Sequence, residues 1–173
     1  GNNCYIRTKK FELGIMSIIG NSSNIVARQV LIGDVCLLSY NTIITGGFSI
    51  HASLIIGNSC LVSSNCLFDC GNGVFIGNEV GISPHVKLYT HNHWQSELEG
   101  YHSNFGSIFV MDKAYITGDC LVVPGVTIGK GATVLANSTV IKDVLPNTQV
   151  CGNPASQVAL VDTELSMEKK EQI

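Results

Sequence analysis

Two histidines and a tryptophan close the run Leu88-Tyr89-Thr90-His91-Asn92-His93-Trp94, and the histidines are the side chains here best suited to moving a proton. Histidine has an ordinary pKa of about 6.5, so near pH 7 a neutral imidazole can take a proton from a hydroxyl or an amine. Residues two apart on an extended segment face the same side, so His91 and His93 are rivals for one role. A catalytic imidazole needs a partner to fix its tautomer. Asp69, Glu97, Glu99 and Asp112 are the candidate carboxylates, and a backbone carbonyl would serve as well. Trp94 can wall a pocket beside the histidines or anchor a loop. His51 and His102 are expected to be ordinary surface or loop residues.

The elements that must position these groups announce themselves by a period of six. Aliphatic or aromatic residues recur at Ile19 and Ile25, slip by one, and then run through Ile32, Leu38, Ile44, Ile50, Ile56, Val62, Phe68 and Val74. A two-residue slip resets the series at Ile76, Ile82 and Leu88. After an interruption it resumes at Val110, Ile116, Val122, Ile128, Val134 and Val140. Six suits neither a helix nor a plain alternating strand. A short strand plus a tight turn advances the chain along one side of a prism, three such units close a coil of about 18 residues, and coils stack in parallel. The residue four places later is expected inward at a crowded corner, hence Cys36, Cys60, Cys66 and Cys120. The recurrent glycines Gly20, Gly33, Gly57, Gly77 and Gly129 are expected to serve the turn backbone.

Composition bounds the function. The chain has 173 residues, 45% apolar and only 13% charged, so it either hides most side chains or buries surface against copies of itself. A net charge of −3 argues against nucleic acid as the main partner. No run of about 18 apolar residues suggests a membrane span. Seven cysteines without a C-x-x-C pair fit buried thiols in a reducing, cytoplasmic setting better than a disulfide framework. The basic cluster Arg7, Lys9 and Lys10 is expected to be a solvated face. The layout predicted is a lead-in over 1–18, a β-helix over 19–157 with an excursion at about 94–109, and a C-terminal helix or tail over 158–173.

The rhythm resembles that of the hexapeptide-repeat acyltransferases, and two local signatures are similar to the sugar and xenobiotic O-acetyltransferases within them. One runs from Ile76-Gly77-Asn78 through Ser83-Pro84 to Leu88-Tyr89-Thr90-x-x-His93. The other is Val134-x-Ala136-x-Ser138-x-Val140-x-Lys142-Asp143-Val144-x-Pro146, closing with Gly152-Asn153-Pro154-Ala155. The resemblance implies an all-β, left-handed parallel β-helix, a hand opposite to the usual crossover. It implies direct transfer of an acetyl group from acetyl-CoA to a sugar or polysaccharide hydroxyl, with no metal and no covalent enzyme intermediate.

By the same resemblance, the leucine-to-histidine spacing of the galactoside and maltose acetyltransferases makes His93 the general base and His91 its alternative. Gly118 and Ala136 would line the coenzyme groove, and Ile141 and Lys142 would meet its adenine and phosphate end. His85, Trp94 and Tyr115 would face the acceptor. His85 occupies a turn where many relatives have Asn, and Tyr115 replaces a usual Trp. Ser156-Gln157 stand where many relatives carry a basic residue. Relatives assemble as trimers with active sites between subunits. Three other readings compete. One is N-acetylation of an amino or nucleotide sugar, and another is a non-catalytic β-helix scaffold. The third, a γ-type carbonic anhydrase, has a His-x4-His spacing that His85, His91 and His93 do not show.

Overall fold

The computed structural model describes residues 1–46, 49–92 and 104–160. Its first coil is β1 (Tyr5–Arg7), β2 (Lys10–Leu13) and β3 (Ile18–Ile19), and the second is β4 (Asn24–Val26), β5 (Gln29–Ile32) and β6 (Leu37–Leu38). Then follow β7 (Ile43–Thr45), β8 (Ser53–Ile56) and β9 (Leu61–Val62), and after them β10 (Leu67–Asp69), β11 (Val74–Ile76) and β12 (Gly81–Ile82). The next coil starts with β13 (Lys87–Tyr89), leaves the prism through β14 (His91–Asn92) and β15 (Asn104–Phe105), and returns with β16 (Ile108–Val110) and β17 (Tyr115–Ile116). The last strands are β18 (Leu121–Val122), β19 (Thr127–Ile128), β20 (Thr133–Val134), β21 (Thr139–Val140), β22 (Thr148–Gly152) and β23 (Ala155–Leu160).

Equivalent strands of successive coils pair in parallel, giving sheet A (β1-β4-β7-β10-β13-β18-β21), sheet B (β2-β5-β8-β11-β16-β19) and sheet C (β3-β6-β9-β12-β17-β20-β22-β23). The chain is an all-β, left-handed parallel β-helix, with no helix among the described residues.

The core is a set of ladders. In sheet A, Ile25, Ile44, Phe68, Leu88 and Val122 stack in register at 0–1% exposure. Each such side chain contributes roughly 1.5–3 kcal/mol by leaving water. Sheet B explains the apparent slip in the period. Its strands are long enough to turn two residues inward, as in Val30/Ile32, Leu54/Ile56, Val74/Ile76 and Ile108/Val110. Ile50, expected on the ladder, is instead 69% exposed. The corner between β7 and β8 holds extra residues, and Ala52 and Leu54 take the inward positions at 0% exposure.

Two of the three corners share a backbone rule. Between sheets C and A, Asn3, Ser22, Asn41, Asn65, His85, Asp119 and Asn137 all have φ between 55° and 63°. Between B and C the same conformation is taken by Met16, Val35, Ser59, Glu79, Lys113 and Asn147. The repeat glycines do something else. A Cβ on Gly33 would lie 2.7 Å from the Gly57 carbonyl oxygen, and one on Gly57 would lie 2.7 Å from that of Gly77. They permit close approach between coils, which corrects the expectation that they serve the turn. The residue after each glycine ties the coils together. The backbone N–H of Asp34 donates to Asn58 Oδ1 at 2.8 Å, that of Asn58 to Asn78 Oδ1 at 2.9 Å, and that of Asn78 to Asp112 Oδ1 at 2.8 Å.

The expected boundaries shift. Residues 1–18 are part of the β-helix, because β1 pairs with β4 and β2 with β5 in parallel. Ile6 and Leu13 continue the series with the same slip as their partners Ile25 and Ile32, and with Phe11 they are 37–42% exposed at the open end. The excursion is rooted earlier than expected, at the antiparallel pair His91↔Phe105 and Asn92↔Asn104, and the prism resumes at Ile108. At the C-terminal side, residues 155–160 form a strand that returns antiparallel on β22. The helix predicted beyond it lies outside the described residues. No helix among the described residues is long and apolar enough to cross a membrane.

The corner thiols are buried and donate to the coil above, Cys36 Sγ to Gly57 O at 3.0 Å and Cys60 Sγ to Gly77 O at 3.0 Å. All seven cysteines are free. Burial pushes the Cys60 and Cys66 thiols up to about 11. The unfolded chain ionises these groups from its ordinary value of 9.0 upward while the folded chain holds its protons, so stability is full below pH 9 and falls as pH rises toward 11. Denaturation midpoints measured across that range should decline, with both thiols unreactive to a disulfide reagent until the chain unfolds. A second prediction concerns Val35, a β-branched side chain at φ 57° on the surface. Val35→Asn should raise the urea unfolding free energy by about 1 kcal/mol, because αL strain in an L-residue of this shape is removed.

Candidate active site

Among the described residues, the corner between sheets A and B carries no non-glycine residue in the αL conformation, and there the chemistry-bearing side chains meet. Strand β10 ends in Asp69, a carboxylate directly after the buried Phe68 and itself 4% exposed. Register pairs Asp69 with Tyr89 on β13, so the residues just past Tyr89 pass beside the carboxylate. Thr90 donates its backbone N–H to Asp69 Oδ2 at 3.2 Å, and Gly71 N–H donates to Oδ1 at 3.1 Å. His91 Nδ1 lies 2.5 Å from Oδ2. A buried carboxylate is tolerated only when its lone pairs are met in this way. The contact assigns the imidazole proton to Nδ1, donated to Asp69, and makes Nε2 the basic nitrogen.

The imidazole is partly open to solvent, its side chain 38% exposed against 5% for that of Asp69. Phe105, opposite it on β15, stacks on the ring with centroids 6.1 Å apart and planes at 24°. Together they border a cavity of about 510 Å³ that Thr45, Ser49, Asn72 and Asn92 also line. Asn92 Oδ1 is buried without a hydrogen-bond partner among the described residues. Ser107 Oγ donates to Asn72 O at 2.6 Å and Gly106 N–H to Thr90 O at 3.0 Å, pinning the returning strand against the site. Gly71 lies beside the pair, where a Cβ would be in ordinary contact with Asp69 Oδ1 at 3.4 Å and His91 Nδ1 at 3.6 Å. An oriented base at the edge of an open cavity can deprotonate a hydroxyl or an amine.

Of the four candidate carboxylates, Asp69 is the one beside a candidate base. Asp112 serves the ladder of the opposite corner, and Glu97 and Glu99 lie outside the described residues, as do His93, Trp94 and His102. His85 does not reach this cavity. It is an αL turn residue whose Nε2 is 3.3 Å from Asn65 Nδ2 and whose Nδ1 is 3.1 Å from Asp119 Oδ1, one rung of a polar ladder. Tyr115 is also elsewhere, packed outside sheet C over Gly81, with its hydroxyl 3.1 Å from Ser83 Oγ. Gly118 and Ala136 stack at the corner between C and A, linked by the Asn137 N–H to Gly118 O bond of 3.0 Å. A Cβ on Gly118 would meet only Pro84 O within 4 Å, at 3.4 Å, so the space outside that glycine is open. Ile141 and Lys142 follow β21 and are exposed at the A–B corner, two coils beyond His91.

Asn72, Asn92, Ser49 and Phe105 were not legible as site residues. For Asp69 a signal existed, a charge set between Phe68 and Cys70 in a buried run. Among the described residues no group of three or more His, Cys, Asp or Glu side chains is arranged to hold a metal ion.

A prism of this kind with an oriented histidine at a corner defines a class, the hexapeptide-repeat acyltransferases. Comparison with known proteins bears that out. No protein-family model matches the chain. A candidate acetyltransferase of Schizosaccharomyces pombe is 33% identical over 122 residues, covering 68% of this chain and 56% of its own length. A hexapeptide-repeat acetyltransferase of Vibrio cholerae, solved with acetyl coenzyme A, is 25% identical with a TM-score of 0.57, over 87% of this chain and 71% of that one. A galactoside acetyltransferase in complex with coenzyme A has a TM-score of 0.68 at 22% identity, over 80% and 67%.

The chain therefore belongs to the hexapeptide-repeat acetyltransferases. It spans a little over half the length of the curated relatives it matches.

A proton shared between His91 and Asp69 should give a low-field proton NMR resonance. Asp69→Asn and His91→Ala should each abolish it, and His93→Ala should leave it in place.

Proposed function

We propose that this protein is an acetyl-CoA-dependent O-acetyltransferase acting on a sugar or polysaccharide hydroxyl, with His91 as the general base and Asp69 as the residue that orients it. The observation that carries the proposal is the Asp69–His91 pair, a buried carboxylate holding a half-open imidazole at the mouth of a cavity. Stacking alone needs no such pair, which weighs against a scaffold. His91 Nε2 accepts the proton of the acceptor hydroxyl as that oxygen attacks the thioester carbonyl carbon; the C–S bond then breaks, and the proton passes from His91 to the leaving thiolate. Asp69 keeps the ring in the right tautomer and faces the positive charge it acquires. Phe105 fixes the ring plane, and Asn72 and Asn92 offer hydrogen bonds to the acceptor's other hydroxyls.

Acetyl-CoA, bound by the Vibrio cholerae relative, supplies the acyl group as a thioester. Gly118 and Ala136 would accommodate its slender arm, and Lys142 would meet its phosphates. Gly118 and Ala136 stand at a different corner from His91, so one chain does not bring donor and base together. Copies packed side by side would do so, and a homotrimer with sites between subunits is part of the proposal. The seven free thiols favour a reducing compartment such as the cytoplasm.

The test follows thiol release from acetyl-CoA across a panel of sugars and amino sugars. His91→Ala should lower kcat by about 10²–10⁴ with the fold intact, and Asp69→Asn by about tenfold or more. Full activity in His91→Ala together with loss in His93→Ala would move the base to His93.

A further inference from the structure

The same corner continues toward the N-terminus as a second groove of about 460 Å³, lined by Arg7, Thr8, Lys9, Arg28, Ser49 and Ile50 among others. Three of the chain's ten lysines and arginines stand in it, and none of its lining residues is acidic. Lys10 and Lys113 are paired with Glu12 and Glu79 at 3.1 and 3.7 Å, whereas Arg7, Lys9 and Arg28 have no carboxylate partner among the described residues. Three unneutralised cations in one groove of a chain with net charge −3 are a local reversal of sign.

The groove is rigidly built. Arg28 O accepts the backbone N–H groups of Lys9 and Lys10 at 3.0 and 3.1 Å and Thr8 Oγ1 at 3.1 Å, while Arg28 N–H donates to Ala52 O at 3.0 Å. Three coils are therefore locked where the cations stand. Ser49 borders both this groove and the one holding His91. From the coil of Arg28 to that of His91 is three strand spacings, about 14 Å.

We propose that Arg7, Lys9 and Arg28 form an anion-binding subsite for the acceptor, which is a sugar carrying a phosphate, a diphosphate or a carboxylate roughly 14 Å from the hydroxyl acetylated at His91. This rests on the acyltransferase function proposed above. A span of that size exceeds one hexose, so the acceptor is a diphosphate-linked sugar or an acidic oligosaccharide. Arg7 and Arg28 supply forked donors that match an oxyanion, and Lys9 a point charge. The donor is the other anion in the reaction, but Gly118, Ala136 and Lys142 lie in later coils, on the far side of His91 from this groove.

The experiment is isothermal titration of the intact protein, without turnover, with pyrophosphate, UDP-glucose, glucuronic acid and glucose, and separately with acetyl-CoA. The expected result is binding of an anionic probe in preference to glucose, weakened by salt. Arg7→Gln and Arg28→Gln should each weaken it about tenfold while acetyl-CoA affinity holds. Preference for pyrophosphate and UDP-glucose identifies the charge as phosphate, and preference for glucuronic acid identifies it as carboxylate. Equal binding of glucose and the anions, or unchanged anion binding in both variants, would overturn the proposal. Lost acetyl-CoA affinity in the variants would overturn it too, by giving the groove to the donor. Because binding is read without catalysis, failure here is distinct from failure of His91 as the base.

Discussion

Every coil of this protein depends on the one stacked against it. The inward ladders, the parallel backbone hydrogen bonds and the Asp34–Asn58–Asn78–Asp112 side-chain bonds all run along the prism axis, between residues a whole coil apart. A single coil has no interior of its own. That axial dependence sets what each position must be: aliphatic where the ladder runs, glycine where two backbones nearly touch, and small or thiol-bearing where a corner closes. The αL residues at two corners let the chain turn within so few residues, at a conformational cost that Asn and Asp bear more easily than Val35 does.

The third corner is built differently, and the site follows from that difference. Freed from the tight αL turn, it accommodates the extra residues after β7 and the excursion after β13, and its side chains are not committed to the ladder. Asp69 is buried because Gly71, Thr90 and His91 close over its carboxylate, and His91 reaches it because parallel register carries the end of β13 past the end of β10. The geometry of an acid–base pair is thus inherited from the strand stacking. An imidazole held on a rigid element in this way keeps its orientation through the reaction, as efficient proton transfer requires.

Much of the architecture is legible in the residues, because a period of six in Ile, Leu and Val has few other physical meanings. What was misread shares one cause, the use of a one-dimensional pattern for contacts between coils. Ile50 falls on the period but lies at an expanded corner. Residues 5–13 look irregular read alone, yet Ile6 and Leu13 repeat the slipped spacing of Ile25 and Ile32, the residues they pair with one coil on. The glycines look like turn residues and prove to be points of close approach. The pairing of Asp69 with His91 joins residues more than a full coil apart, so it required the coil length at that exact place. His85, on the other hand, sits at an αL corner where any local polar residue would be drawn into the ladder of Asn65 and Asp119.

The expanded corner also bears on how such a protein diversifies. Added residues at Gly46–Ala52 and between β14 and β15 leave the strand pairs on either side in register, since Ile44 still meets Phe68 and Val74 still meets Ile108. Lengthening a surface connection costs little, about 0.6 kcal/mol for each doubling. Insertions at that one edge can therefore be gained, lost or exchanged between lineages without renegotiating the core, and substrate preference can drift while the prism beneath it stays fixed.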